Sequence, residues 1–233
     1  MDTLECIKTR RSIRKFRPSP VEWDKVGSIL DAGRYAPNAG NLQNWQFMVF
    51  LDEKKRKAIA EASAEQHWMA EAPVHIIICE KPEIQKQYYG IRGERLYSVQ
   101  GMAAAAENML LAAHALGLGT CWIGAFDEHA IKRIGNIPDR ARPQAIIVVG
   151  YADEVVPTPG KLTLENVTYL ETYGENIGRI KDIDAVLGFR SQAVMDTIEK
   201  GKEVINKASE HVEKESISFI DKIKEKLRGK KEE

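Results

Sequence analysis

The most informative stretch of the chain is the run Val74-His75-Ile76-Ile77-Ile78-Cys79. It follows a proline and is almost wholly apolar, without the alternation of polar and apolar residues that a half-exposed strand shows. A continuous apolar run of this length is typical of a β-strand that is buried on both faces. The sequence therefore predicts a central strand in a sheet that other elements cover on both sides.

Two more strands and several helices are predicted on either side of this run. Residues 46–51 and 144–151 are apolar enough to form further strands. Residues 81–95 contain prolines and glycines and are expected to form an irregular connection. The helices are predicted at residues 20–35, 52–64, 96–116 and 127–134, with a capping box at residues 19–22 and N-cap residues at Asp52 and Asp127.

The helix predicted at residues 96–116 is small and apolar on all sides, which is typical of a helix buried in a core or at a dimer interface. The following Gly117-Leu118-Gly119-Thr120 resembles half of a dinucleotide-binding fingerprint. That fingerprint joins a strand to the helix after it, whereas here the helix comes first and residues 121–124 follow as a strand. We therefore reject a Rossmann nucleotide-binding site at this position.

The composition argues against several classes of protein. The 233 residues include 34 basic and 34 acidic side chains, so a broad nucleic-acid surface is not expected. No apolar segment is long enough to span a membrane and no signal peptide is recognisable, so we expect a cytoplasmic protein. The three isolated cysteines favour reduced thiols, and the five scattered histidines have no metal-binding spacing, so no metal site is expected.

Two polar stretches are candidates for ligand binding. The stretch Thr9-Arg10-Arg11-Ser12-Ile13-Arg14-Lys15-Phe16 brings four cations and two hydroxyls together, and arginine forks bind phosphate bidentately. Residues 37–45 carry several uncharged amides, which suit the edge of a neutral heteroaromatic ring or a polyol. Taken alone, a solvated basic turn and an ordinary Asn/Gly turn explain these two stretches at least as well.

Both stretches belong to a set of four segments that resembles the nitroreductase family of flavin-dependent oxidoreductases. The resemblance covers roughly residues 4–173, and the segments follow one another in that family's order. They are residues 10–16 (RRSIRKF), residues 36–45 (APNAGNLQNW), residues 116–126 (LGLGTCWIGAF), and Gly150-Tyr151 followed by residues 157–161 (PTPGK).

The resemblance implies an α+β nitroreductase-like fold in which helices flank a central, mainly antiparallel sheet. It also implies an intertwined homodimer that binds FMN where both subunits line each site. The phosphate and ribityl chain would be held by Arg10, Arg11, Ser12, Arg14 and Lys161. The flavin would be contacted from the other subunit by Pro37, Asn38, Ala39, Asn41 and Gln43. Backbone N–H groups near flavin N5 would come from Ile123 and Gly124, and a looser expectation is that Gln66 contacts the pyrimidine edge.

The activity implied by the resemblance is that of an NAD(P)H-dependent flavin oxidoreductase. NADH or NADPH would pass a hydride to flavin N5, and a nitroaromatic, quinone or flavin-like acceptor would then take the electrons by a ping-pong mechanism. No side chain needs to act as acid or base, so no catalytic residue is expected. Two alternatives stay open: an FMN-dependent relative that dehalogenates, fragments flavin or reduces a deazaflavin, and a non-catalytic flavin-binding dimer that recruits a partner through its C-terminal helix.

The last part of the chain differs in character from the rest. Apolar residues recur between Ile198 and Leu227 near helical or heptad spacing, separated by charged residues. We interpret residues 181–233 as a C-terminal extension with an amphipathic helix that packs on the protein or on a partner. Residues 1–180 would then form the FMN-binding domain.

Overall fold

The computed structural model describes residues 1–175, so the expected C-terminal helix lies outside the described residues. Residues 1–159 form one compact unit, and the described residues 160–175 belong to a second. The helices are α1 (Thr3–Thr9), α2 (Trp23–Arg34), α3 (Glu53–Ala62), α4 (Pro82–Arg92), α5 (Ser98–Ala115), α6 (Glu128–Gly135) and α7 (Leu164–Val167). The strands are β1 (Trp45–Phe50), β2 (Val74–Glu80), β3 (Gly119–Ile123) and β4 (Arg142–Gly150).

The four strands form one antiparallel sheet in the order β1-β2-β4-β3. β2 pairs with β1, where Ile78 lies opposite Phe47, and with β4, where Ile77 lies opposite Ile146. All seven residues of β2 are buried. The prediction of a central strand covered on both faces is therefore confirmed, as is the α+β class with an antiparallel sheet.

Helices cover both faces of the sheet. On one face, Ile76 and Ile78 pack with residues of α2 and α5. On the other face, Ile77 and Cys79 pack with residues of α3 and α6. Successive side chains of a strand point to opposite faces, so a strand covered on both sides is expected to be apolar at most positions. This requirement explains the unbroken apolar run in the sequence.

The stretch of residues 9–16, here called the arginine-rich stretch, extends the sheet beyond β3. Ser12 forms a parallel bridge with Thr120, and the Ile13 N–H donates to the Thr120 carbonyl at 2.9 Å. Phe16 forms an antiparallel bridge with Ala152, just after β4. Ile13 and Phe16 are buried in the core, which holds the polar side chains between them along the sheet edge.

The predicted start of the second helix is wrong. α2 begins at Trp23 rather than near Pro20, and Glu22 occupies the N-cap position without a side-chain cap. The Glu22 carboxylate instead accepts hydrogen bonds from the Tyr151 hydroxyl at 2.8 and 2.9 Å and pairs with Lys25 at 3.3 Å. Because Tyr151 and Lys25 hold the Glu22 carboxylate, the expected capping box does not form.

The irregular connection expected at residues 81–95 is also wrong, because this segment is helical. α4 begins at Pro82, and a proline is tolerated in the first turn because its missing N–H would be unpaired there. Gly90 then adopts φ 59° and ψ −149°, which favours glycine, and interrupts α4. A five-residue π-helix from Gly93 to Tyr97 leads into α5. The glycines therefore mark a kink between helical segments.

The other helix predictions are confirmed to within a turn. Asp52 accepts a hydrogen bond from the Lys55 N–H at 2.9 Å and caps α3, and Asp127 caps α6 in the same way. Gly117 ends α5 with φ 78°. Within residues 1–175, every helix is too short or too polar to cross a membrane.

Gly150 provides a test of the packing between β4 and the arginine-rich stretch. A Cβ atom at Gly150 would lie 2.7 Å from Pro73 Cδ and 2.8 Å from Phe16 Cδ1, both atoms of rigid rings. We expect Gly150→Ala to lower the free energy of unfolding by about 1–3 kcal/mol, the usual cost of overpacking. In α2, a Cβ at Gly27 has no neighbour within 4 Å in the described part of the chain, so the control Gly27→Ala should stabilise by up to about 1 kcal/mol. Urea denaturation that finds both variants equally stable would contradict this packing.

Candidate functional site

A cavity of about 360 Å³ lies beside the arginine-rich stretch. Its lining includes Arg10, Arg11 and His114, the turn at residues 117–120, and residues 154–156 after β4. This volume is within the range of small-molecule sites. Two arginines beside the backbone of a glycine-containing turn make the cavity suited to an anionic group.

Arg11 is held in this cavity by backbone carbonyls at the end of α1. Its Nη1 donates to the carbonyls of Lys8 at 2.8 Å and Arg10 at 2.7 Å, and its Nη2 donates to the Thr158 hydroxyl. Its Nε–H group is buried without a hydrogen-bond partner among the described residues. An unpaired buried donor is destabilising, so an acceptor from a bound ligand would relieve this cost.

Ser12 and Arg14 lie near the buried thiol of Cys121. Burial raises the pKa of this thiol, while Arg14 and Ser12 act in the opposite direction. The thiol is therefore protonated near neutral pH, and Cys121 is a packing residue rather than a nucleophile. Arg14 itself is exposed, and its guanidinium carbon lies 5.9 Å from the centre of the Trp68 ring.

The loop of residues 37–45, here called the amide-bearing loop, has an unusual backbone conformation. Gly40, Asn41 and Gln43 all have positive φ angles, of 61°, 53° and 48°. The Asn38 Oδ1 atom accepts a hydrogen bond from the Gln43 N–H at 2.9 Å and stabilises this arrangement. Left-handed residues other than glycine are strained and often mark functional loops. Asn41 and Gln43 are exposed, so they can reach a molecule outside this copy of the chain.

A buried polar network supports this loop, and the sequence analysis did not identify it. The Asn44 amide donates to Ser98 Oγ at 2.6 Å. The Gln85 amide donates to the Ala39 carbonyl at 3.3 Å and to Asn44 Oδ1 at 3.4 Å. These bonds tie the loop to the start of α5 and to α4, because each polar group needs a partner once it is buried.

Glu80, at the end of β2, extends this network. It is 1% exposed, the Gln144 amide donates to its carboxylate, and Ser98 lies close to it. Burial raises the pKa of Glu80. The one sequence signal for this residue was a glutamate placed directly after the buried apolar run.

The structure places the two candidate stretches at opposite ends of α5. Thr9 contacts His114 at 2.9 Å near the C-terminal end, whereas Asn44 contacts Ser98 at the N-terminal end. The 16 residues from Ser98 to His114 rise about 24 Å along the helix. One copy of the chain therefore brings Arg10, Arg11 and Ser12 together, but it does not bring them to the amide-bearing loop.

The other expected site residues lie in several environments. Ile123 is buried at the end of β3, and the adjacent Gly124 is exposed. The Gln66 amide donates to the carbonyl of Ser63 at 2.9 Å. Pro37 and Lys161 are exposed, and Lys161 belongs to the second unit, so its closure over a phosphate stays a prediction.

The chain matches a known family over most of its length. The profile described as "Nitroreductase family" matches residues 7–68 and 62–151. This chain belongs to the nitroreductase family. The matched residues include both the arginine-rich stretch and the amide-bearing loop, and the resemblance to this family is confirmed.

Relatives and a solved structure agree with this assignment. A Methanothermobacter thermautotrophicus protein named "Putative NADH dehydrogenase/NAD(P)H nitroreductase" is 37% identical over 158 residues, which are 66% of this chain and 79% of that protein. "FMN reductase [NAD(P)H]" of Bacillus subtilis is 26% identical over 186 residues, 74% of each protein. The crystal structure of a nitroreductase family protein from Clostridium novyi NT superposes with a TM-score of 0.61 at 30% identity, covering 76% of this chain and 97% of that one.

Glu80 leads to a pH-dependent prediction. Burial raises its pKa above the ordinary value of 4.5, so the stability linked to the protonated acid is present at low pH and lost as the pH rises through the raised pKa. The glutamine side chain of the Glu80→Gln variant cannot ionise. The free energy of unfolding of this variant should therefore increase relative to that of the wild type as the pH rises above 4.5. Urea denaturation from about pH 4 to about pH 9 measures this difference.

The matched control for this experiment is Glu107→Gln, which removes an exposed carboxylate from α5. Its stability should follow that of the wild type across the range. If Glu80→Gln also keeps a constant difference from the wild type at every pH, Glu80 is not a buried acid with a raised pKa.

Proposed function

We propose that this nitroreductase family member is an NAD(P)H-dependent flavin oxidoreductase that binds FMN in the cavity beside Arg10 and Arg11. When bound, FMN supplies the redox chemistry, taking a hydride at N5 from NADH or NADPH and passing electrons to a nitroaromatic, quinone or flavin-like acceptor. Donor and acceptor use one site in turn, which gives ping-pong kinetics. The observations that carry this proposal are the cavity lined by Arg10 and Arg11 and the buried Arg11 Nε–H, which lacks an acceptor among the described residues.

The chemistry of the cavity fits a phosphate ester. The FMN phosphate carries close to two negative charges near neutral pH and presents several acceptor oxygens. Arg10 and Arg11 supply positive charge, and charge-assisted hydrogen bonds are about twice as strong as neutral ones. Ser12 and Arg14 follow on the same edge of the sheet and would contact the ribityl chain. Lys161 would add a further cation over the phosphate.

The functional unit that we propose is a homodimer. The arginine-rich stretch and the amide-bearing loop lie at opposite ends of α5, and FMN with its phosphate is shorter than the span of about 24 Å between them. A two-fold symmetric pair would place the loop of one copy beside the arginines of the other. Asn38, Asn41 and Gln43 would then offer uncharged donors and acceptors to the ring edge.

The ring itself would lie beside the turn that follows β3. Backbone N–H groups at Ile123 and Gly124 would reach N5, where a fixed donor stabilises charge that develops during hydride transfer. Among residues 1–175, a Cβ at Gly124 would meet only Trp122 Nε1, at 3.7 Å, so this part of the chain leaves the space beside Gly124 open. Gln66 would contact the pyrimidine edge through its side chain.

Reduction of bound flavin by NADH or NADPH tests the proposed activity. Purified protein is loaded with FMN, freed of excess cofactor by gel filtration, and mixed anaerobically with either nucleotide. We expect a yellow protein that bleaches and regains its colour when a nitroaromatic or quinone is added. A protein that retains no FMN would contradict the proposal, and one that retains FMN without bleaching would indicate a non-catalytic flavin-binding dimer.

Arg10→Ala tests the phosphate assignment. Loss of one charge-assisted interaction of about 1.5–3 kcal/mol should weaken FMN binding by about 10- to 100-fold in a fluorescence titration. Riboflavin lacks the phosphate, so its affinity should stay unchanged. Arg17→Ala is the control, because Arg17 forms an exposed ion pair with Asp153 at 3.6 Å. If the Arg10 and Arg17 variants bind FMN equally well, the phosphate lies elsewhere.

Mixed dimers test whether two subunits share each site. Arg10→Ala and Asn41→Ala copies are unfolded together and refolded, and each variant is also refolded alone. If the loop and the arginines meet across the dimer, heterodimers hold one intact site each, and the mixture should recover about a quarter of the wild-type sites. If Arg10 and Asn41 act within one subunit, every subunit in the mixture carries a defective site and mixing restores no activity.

A further inference from the structure

His114 shares the proposed phosphate cavity with Arg10 and Arg11, and the proposed function gives it no role. It lies in the last turn of α5, and its imidazole is half-buried. Its Nε2 atom lies 2.9 Å from the Thr9 hydroxyl, which immediately precedes the arginine pair. A titratable side chain is therefore built into the wall of an anion site.

The hydrogen bonds of Thr9 determine the tautomer of His114. The Thr9 hydroxyl has one proton, and it donates that proton to the Glu5 carbonyl at 2.7 Å. The hydroxyl oxygen is then an acceptor, so His114 Nε2 must carry a hydrogen and donate to it. The neutral ring has its lone pair on Nδ1. Protonation at Nδ1 therefore leaves the contact with Thr9 intact.

The charges around His114 oppose its protonation while the cavity holds no anion. Burial lowers the pKa of His114 below its ordinary value of 6.5, and Arg10 and Arg11 lower it further. Glu154 and the N-terminal residue Met1 also line the cavity, and the Glu154 carboxylate already accepts hydrogen bonds from the N–H groups of Arg14 and Lys15. A bound dianion would reverse this balance, because its charge neutralises the arginines and attracts an imidazolium.

We propose that binding of a phosphate ester in this cavity is coupled to uptake of a proton by His114. This inference rests on the proposed function, because FMN is the phosphate ester concerned. Linkage sets the direction of the effect: protons taken up on binding make the affinity fall as the pH rises. The affinity depends on pH in the range between the lowered pKa of His114 without ligand and its higher pKa with ligand bound. FMN binding is thereby tuned to pH by a residue that need not contact the flavin ring.

Calorimetric titration of FMN into the full chain tests this coupling. Experiments near pH 7 in phosphate-free buffers of different ionisation enthalpy give the number of protons exchanged on binding. The wild type should take up a larger fraction of a proton than His114→Gln. The phosphate of FMN also titrates and is coupled to His114, so the NMR titration below assigns the proton to the imidazole. His129→Gln, which changes an exposed histidine on α6, is the matched control and should behave as the wild type.

Three outcomes have distinct meanings. Greater proton uptake by the wild type and the His129 variant than by His114→Gln supports the coupling. Equal proton uptake by all three proteins, each still binding FMN, overturns the coupling and leaves the proposed function intact. Failure of the wild type to bind FMN overturns both.

A measurement on the wild type alone covers the case in which His114→Gln does not fold. The imidazole resonance of His114 is followed by NMR across a pH titration, without ligand, with FMN and with riboflavin. We expect its pKa to rise with FMN and to stay unchanged with riboflavin, which lacks the phosphate. An equal pKa in all three titrations would overturn the proposal.

Discussion

Burial of β2 on both faces is the constraint on which the rest of the structure depends. A strand in this position is apolar at most of its positions, and each face needs its own covering layer. α2 and α5 supply one layer and α3 and α6 supply the other. The sheet is then closed at one edge by the arginine-rich stretch, which pairs with β3 through Ser12 and Thr120. The arginine-rich stretch is therefore attached directly to the buried sheet.

α5 determines how the candidate site is divided. It has the arginine-rich stretch at one end and the amide-bearing loop at the other. A helix of this length cannot bring its two ends to one small molecule. In the proposed homodimer, two-fold symmetry would bring the arginine-rich stretch of one copy to the amide-bearing loop of the other.

Buried polar groups mark both halves of the site. Around the arginine-rich stretch, the Arg11 Nε–H lacks a partner within the described part of the chain, which suits a site that receives an anion. Around the amide-bearing loop, the Asn44 amide donates to Ser98 and the Gln85 amide donates to Asn44, and these bonds help to hold a strained backbone in place.

The sequence by itself determined the buried strands, the caps of α3 and α6, the end of α5 and the family, because each depends on a local pattern of residues. Only the tertiary structure decided that α2 starts at Trp23, that Glu80 joins a buried network, and that His114 lies in the cavity with the arginines. These features depend on partners far apart in the chain, such as Tyr151 for Glu22. A pairing of that kind leaves no periodic signal, so it becomes visible only after the sheet has brought the partners together.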